Sequence, residues 1–75
     1  METRLLEIIN EILENDNRKT INSFTSDTSL RKDLGFDSLN LAVLTVMIED
    51  EFGVDLFADR LIDTVGEVIQ ILKGE

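Results

Sequence analysis

Residues 2–15 repeat their apolar side chains with the period of an α-helix, in a chain of only 75 residues. Leu5, Leu6, Ile8, Ile9, Ile12 and Leu13 fall on one side of that helix, and Glu7, Asn10, Glu11 and Glu14 on the other. Such a stripe has to be covered by other segments, and a small chain has few to offer. A domain of about 60 residues buries only about 60% of the surface its unfolded form exposes. The rest of the sequence supplies the cover in the same helical form, and it holds no proline to interrupt a helix.

Asn15-Asp16-Asn17 stops the first helix. Residues 16–36 then read as a long connection, pinned to the core by Ile21, Phe24, Leu30 and Leu34, with a short helical turn starting at Asp27-Thr28-Ser29. The second helix runs from Ser38 to Phe52 and ends at Gly53, a residue suited to the left-handed terminating conformation. Residues 57–62 read as a short third helix. The last helix begins at Thr64, whose Thr-x-x-Glu spacing to Glu67 is that of a capping box, and buries Val65, Val68, Ile69 and Leu72. The expected architecture is all-α: a small four-helix bundle, one domain over residues 1–75, with a long first loop and a short third helix.

Composition narrows the chemistry. With no cysteine the chain has neither a disulfide nor a thiolate metal site, and with no histidine it lacks the usual general base near neutral pH. The loop does not follow the spacing of an EF-hand, so no metal site is expected. A net charge of −9 repels nucleic acid and anionic membranes and favours basic protein surfaces. No apolar run is long enough for membrane insertion, and the N-terminus does not read as a signal peptide. A cytoplasmic location is expected.

The second helix is apolar on two sides. Leu41, Leu44, Ile48 and Phe52 form one face, directed to the core, and Leu39, Ala42, Val43 and Val46 form a roughly opposite one. In a domain with so few helices, the second face is expected to meet a partner. Glu49, Asp50 and Glu51 close the same helix, where the macrodipole disfavours negative charge. From Asp37 to Asp63 there are seven acids and one base, so this stretch carries −6 of the total −9. The cluster suits steering toward basic partners.

At the mouth of this helix stands Ser38, within Asp33-Leu34-Gly35-Phe36-Asp37-Ser38-Leu39. By position alone, a serine there reads as a helix cap. It does not read as a self-activated nucleophile: no histidine can take its proton, and the Gly-x-Ser-x-Gly elbow is missing. A serine activated by another enzyme fits better, because a phosphodiester on Ser38 would lie among the free N–H groups of a helix N-terminus. Gly35 allows a tight turn just ahead of it.

This run resembles the phosphopantetheine attachment motif of acyl carrier proteins. The resemblance extends to the helix order, the long first loop, Glu49-Asp50-Glu51-Phe52-Gly53 and Thr64-Val65-Gly66. It implies a carrier without catalysis of its own, bearing acyl groups as thioesters on a 4'-phosphopantetheine arm attached to Ser38. A phosphopantetheinyl transferase would install the arm from coenzyme A, with magnesium that belongs to that enzyme. The carrier, a monomer, would then visit ketosynthase, acyltransferase or acyl-activating enzymes of fatty acid, lipid or secondary-metabolite synthesis. Asp37, Leu39, Ala42, Val43, Val46, Glu49 and Asp50 would dock on their basic surfaces. By the same resemblance Leu44, Ile48, Phe52, Ile62, Val68 and Ile69 would line the space for the acyl chain.

The sequence departs from the family pattern in three places. Asn40 stands where an acid usually follows Ser-Leu, the apolar pair Ala42-Val43 replaces another acid, and Phe57 stands where proline is frequent. The front of the docking helix is thus greasier than usual, which points to a specialised carrier. The alternatives are a D-alanyl or peptidyl carrier of aminoacyl groups, an unmodified helical interaction module and a small enzyme. Asp37 favours acyl cargo over peptidyl.

Overall fold

The stripe on residues 2–15 folds as α1 (Glu2–Asn15), burying Leu5, Ile8, Ile9, Ile12 and Leu13. The structure, a computed structural model, describes residues 2–56 and 62–74. Helix α1 ends in a Schellman motif. Asn17 adopts the left-handed conformation at φ 60°, its N–H bonds to the carbonyl of Glu14 at 3.0 Å, and the N–H of Arg18 reaches that of Leu13 at 2.8 Å. The expected stop signal is therefore a defined reversal of the chain.

The long connection is held by polar clips as well as by its apolar residues. Leu30, Leu34 and Phe36 are buried, while Ile21 and Phe24 pack half-buried against the core. Asn10, assigned from periodicity to the solvent face of α1, pairs with the backbone of Ile21 instead. Its side-chain amide donates to the Ile21 carbonyl at 2.9 Å, and its oxygen accepts the Ile21 N–H at 2.8 Å. The turn near Leu30 forms as a hydrogen-bonded turn over residues 30–33 rather than a helix, with the Ser29 hydroxyl accepting the Lys32 N–H at 3.0 Å.

Ser29 also joins this loop to the start of the last helix. Its hydroxyl donates to Asp63 Oδ1 at 2.8 Å, Leu30 N–H donates to the Asp63 carbonyl at 2.7 Å, and Ser29 and Thr64 form an isolated antiparallel bridge. Asp63, counted above among the acids available to partners, is thus half-buried and engaged inside the fold.

Helix α2 (Ser38–Phe52) and helix α3 (Val65–Leu72) complete the helices among the described residues. Gly53 ends α2 as expected, at φ 70° with its N–H on the Glu49 carbonyl at 2.8 Å. Thr64 caps α3 with both halves of the capping box made to Glu67. The described helices number three, so a four-helix count is not met among these residues. The short helix expected over 57–62, including Phe57, falls on residues 57–61, which lie outside the described residues; Ile62 is described and belongs to no helix.

A single apolar cluster joins the elements: Ile8, Ile9 and Ile12 of α1, Leu41, Leu44 and Ile48 of α2, Val65 and Val68 of α3, and Leu56 and Ile62 outside the helices. At the rim, Arg4 of α1 bridges to Glu51 at the end of α2 at 3.2 Å. The Arg4 pKa is raised, first by the hydrogen bond from its guanidinium to Glu51. No helix of the described residues is long and apolar enough to cross a membrane.

Candidate functional site

The backbone leading to Ser38 is fixed peptide by peptide. Gly35 turns the chain at φ 68°, a left-handed conformation that L side chains rarely adopt. Its carbonyl accepts a hydrogen bond from Arg18 Nη2. The next N–H, of Phe36, donates to the Leu30 carbonyl at 2.9 Å, and the buried Phe36 ring anchors the turn in the core. The N–H of Asp37 then donates to Asn40 Oδ1 at 3.1 Å.

That last bond is half of a capping box, and it corrects the reading of Ser38 as the cap. Asp37 is the N-cap: its backbone is extended, and its carboxylate accepts the Asn40 N–H at 2.8 Å. Asn40 returns the bond through its own side chain and is 7% exposed. Ser38 is the first residue inside α2, exposed, with its hydroxyl unbonded among the described residues. A carboxylate has taken the structural task, and the neighbouring hydroxyl is left exposed to solvent.

The same geometry corrects the place of Asn40. The residue that replaces the usual acid points inward and closes the cap, so its loss of charge does not change the outer face of α2 directly. Asp37, although solvent-exposed, is likewise engaged inside the fold.

The residues around Ser38 fit a covalently attached phosphodiester. The amides of Ser38 and Leu39 lie in the first turn, where N–H groups have no carbonyl partner within the helix. The helix dipole adds to their preference for an anion. Ser38 has room for a substituent, since it is exposed and followed by an exposed Leu39.

The outer face of α2 is open to solvent along its length. Leu39 is 71% exposed, Val46 63% and Val43 38%, and Ala42 lies between them. A shallow groove of about 180 Å³ continues this face toward the end of α1, lined by Ile12, Asn15, Asp16, Leu39, Asn40 and Val43. Glu49 and Asp50 are exposed at the far end of α2, while Glu51 is occupied by Arg4. The seven residues named as docking candidates therefore all lie on the exposed surface, beginning beside Ser38.

The residues named for the acyl chain lie elsewhere. Leu44, Ile48, Ile62 and Val68 are buried together in the core, with Phe52 and Ile69 packed half-buried against it. Sequence reasoning passed over Arg18, placed Asn10 on the solvent face and read Asn40 only as a missing acid, whereas each holds a bond within the fold. Only Asn40 had a local signal, the spacing of three from Asp37.

No solved structure matches the chain. A family model, the phosphopantetheine attachment site, matches residues 3–72, which takes in the described helices but for Glu2 and the whole of the motif around Ser38. With nearly the full chain matched, this is a phosphopantetheine-carrying protein of that carrier family, the family whose domains receive a covalent 4'-phosphopantetheine from a transferase and present it to partner enzymes.

Proposed function

We propose that the chain is an acyl carrier protein and that Ser38 Oγ is the point at which its arm is attached. The single observation that carries this reading is the hydroxyl's freedom: it stands exposed in the first turn of α2 while Asp37 serves as the cap. In the loading step Ser38 Oγ attacks the pantetheine-bearing phosphorus of coenzyme A. A new O–P bond forms, the pyrophosphate P–O bond breaks, adenosine bisphosphate leaves, and the hydroxyl proton passes to a base of the transferase. The chain has no histidine to accept that proton, which supports an outside catalyst.

Once attached, the arm supplies a thiol on a long flexible tether, to which an acyl group is joined as a thioester. The protein's own part is to stay docked while the tether moves. Leu39, Val43 and Val46 supply apolar contact, and Glu49 and Asp50 supply charge for a basic partner surface. For acyl cargo, Leu44, Ile48, Val68 and their neighbours would part to admit the chain, an apolar-for-apolar exchange that costs little desolvation. The apolar start of the docking face supports a specialised acyl pathway, and Asp37 supports acyl over peptidyl cargo.

The test is the intact mass after incubation with coenzyme A, magnesium and a phosphopantetheinyl transferase. The protein is expected to gain the mass of one arm, and Ser38→Ala is expected to gain nothing. A wild-type chain that stays at its bare mass, or a Ser38→Ala variant that still loads, would overturn the assignment.

A further inference from the structure

Arg18 is twenty residues upstream of Ser38 in the chain but next to its turn in space. The Schellman reversal at Asn17 brings it there, and its guanidinium lies against Gly35. Nη2 donates to the Gly35 carbonyl. Nη1 is buried and lies 3.6 Å from Asp16 Oδ2, near enough for charge attraction but beyond a hydrogen bond. The fit is close enough that a Cβ built on Gly35 would fall on the guanidinium.

The other clips leave the Gly35 carbonyl to Arg18. Phe36 N–H is held by Leu30 and Asp37 N–H by Asn40, both within the segment that starts at Ser29. The Arg18 bond ties that segment to the end of α1 just ahead of Ser38, beside the core packing that joins α2 to α1. The planar guanidinium suits this, because one edge can serve a carbonyl while the other faces a carboxylate.

We infer that Arg18 is a positioning residue for loading: by holding the Gly35 carbonyl it fixes the angle at which the Ser38 hydroxyl meets the transferase's bound coenzyme A. The inference rests on the proposal that Ser38 is the attachment point. It predicts an effect on turnover rather than on encounter, since the outer face of α2 does not involve Arg18.

The experiment measures loading kinetics for the full chain with coenzyme A and a phosphopantetheinyl transferase, beside melting curves of each variant. Arg18→Ala is expected to lower kcat about fivefold with KM for the carrier unchanged, a loss of the size of one charge-assisted hydrogen bond at a partly exposed site. Arg18→Lys, which keeps a cationic donor, is expected to recover part of the rate, and it carries the test if Arg18→Ala fails to fold. A kcat equal to wild type in a folded Arg18→Ala overturns the inference, and so does a change confined to KM. Failure of the Ser38 reading would look different: the wild-type chain would not load, or Ser38→Ala would.

Discussion

At the start of α3 the hydroxyl of Thr64 is the cap, whereas at the start of α2 a carboxylate does that task and the hydroxyl stands one residue further on. Thr64 Oγ1 accepts the Glu67 N–H at 3.3 Å and donates to Glu67 Oε1 at 3.2 Å. Ser38 has neither bond, because Asp37 and Asn40 have closed the same box one position earlier. The surroundings differ in the same sense: α3 starts with Val65 fully buried, while α2 starts with Ser38 and Leu39 exposed. Two N-termini of one design thus differ by a shift of one residue. One uses its hydroxyl for stability and the other leaves it exposed to solvent.

Moving the hydroxyl back into the cap should produce the largest effect. The double variant Asp37→Ser, Ser38→Ala keeps a hydroxyl one residue from its present place but puts it where the Asn40 N–H will engage it. It is expected to show no mass gain under conditions that load the wild type completely. Thr64→Ala is expected to load in full. Loading of the double variant at the wild-type rate would mean that any hydroxyl near this helix end suffices, and the distinction drawn between the two N-termini would fail.

The stability of α3 ranks next. Thr64→Ala removes the cap and leaves Glu67 without the hydroxyl that it accepts from, so the expected loss is about 0.5–2 kcal/mol. Asp37→Ala is expected to cost a similar amount, about 1 kcal/mol, and to do so at the other N-terminus. Denaturant midpoints at fixed pH read both. An Asp37→Ala variant as stable as wild type would indicate that the cap bond is worth nothing in solution.

These two caps also show what can be read from sequence and what cannot. Thr64-x-x-Glu67 carries the full signature, and its box was legible. Asp37 and Ser38 are adjacent and both good caps, so the spacing alone could not choose between them; the choice came from Asn40, an unusual partner for the reciprocal bond. The helical periods of α1 and α2, the Gly53 stop and the two faces of α2 were legible because each is written in residues near one another. The clips were not, since Asn10 with Ile21, Arg18 with Gly35 and Ser29 with Asp63 join residues that only the fold brings together. Sequence likewise assigned Glu51 and Asp63 to a shared acidic surface, when Glu51 pairs with Arg4 at the rim and Asp63 is half-buried and bonded to Ser29.

Contact with a partner separates the two N-termini by a smaller amount. Leu39→Ala removes an exposed side chain beside Ser38, so the affinity for the transferase should fall by about 1 kcal/mol, roughly fivefold, with the melting temperature unchanged. Titrations at two salt concentrations would sharpen this. Replacing Glu49 and Asp50 by lysine should weaken binding more at low salt than at high, whereas the Leu39 effect should persist at both. An affinity untouched by Leu39→Ala would place the contact elsewhere on the surface.

The smallest expected effect is the most discriminating for the structure. If Ser38 were a cap, Ser38→Ala would cost about as much as Thr64→Ala, in the range of about 0.5–2 kcal/mol. With Asp37 in that place, the substitution removes only an exposed hydroxyl and adds a residue of higher helix propensity at the first helical position. The expected change in unfolding free energy is within about 0.5 kcal/mol of zero. Urea unfolding of the two alanine variants, side by side and without any arm attached, compares them without reference to function. Equal losses would return Ser38 to a structural role and remove the physical reason for regarding its hydroxyl as free. A silent Ser38→Ala beside a destabilised Thr64→Ala would show that the fold does not need this serine, as the proposed attachment at its hydroxyl requires.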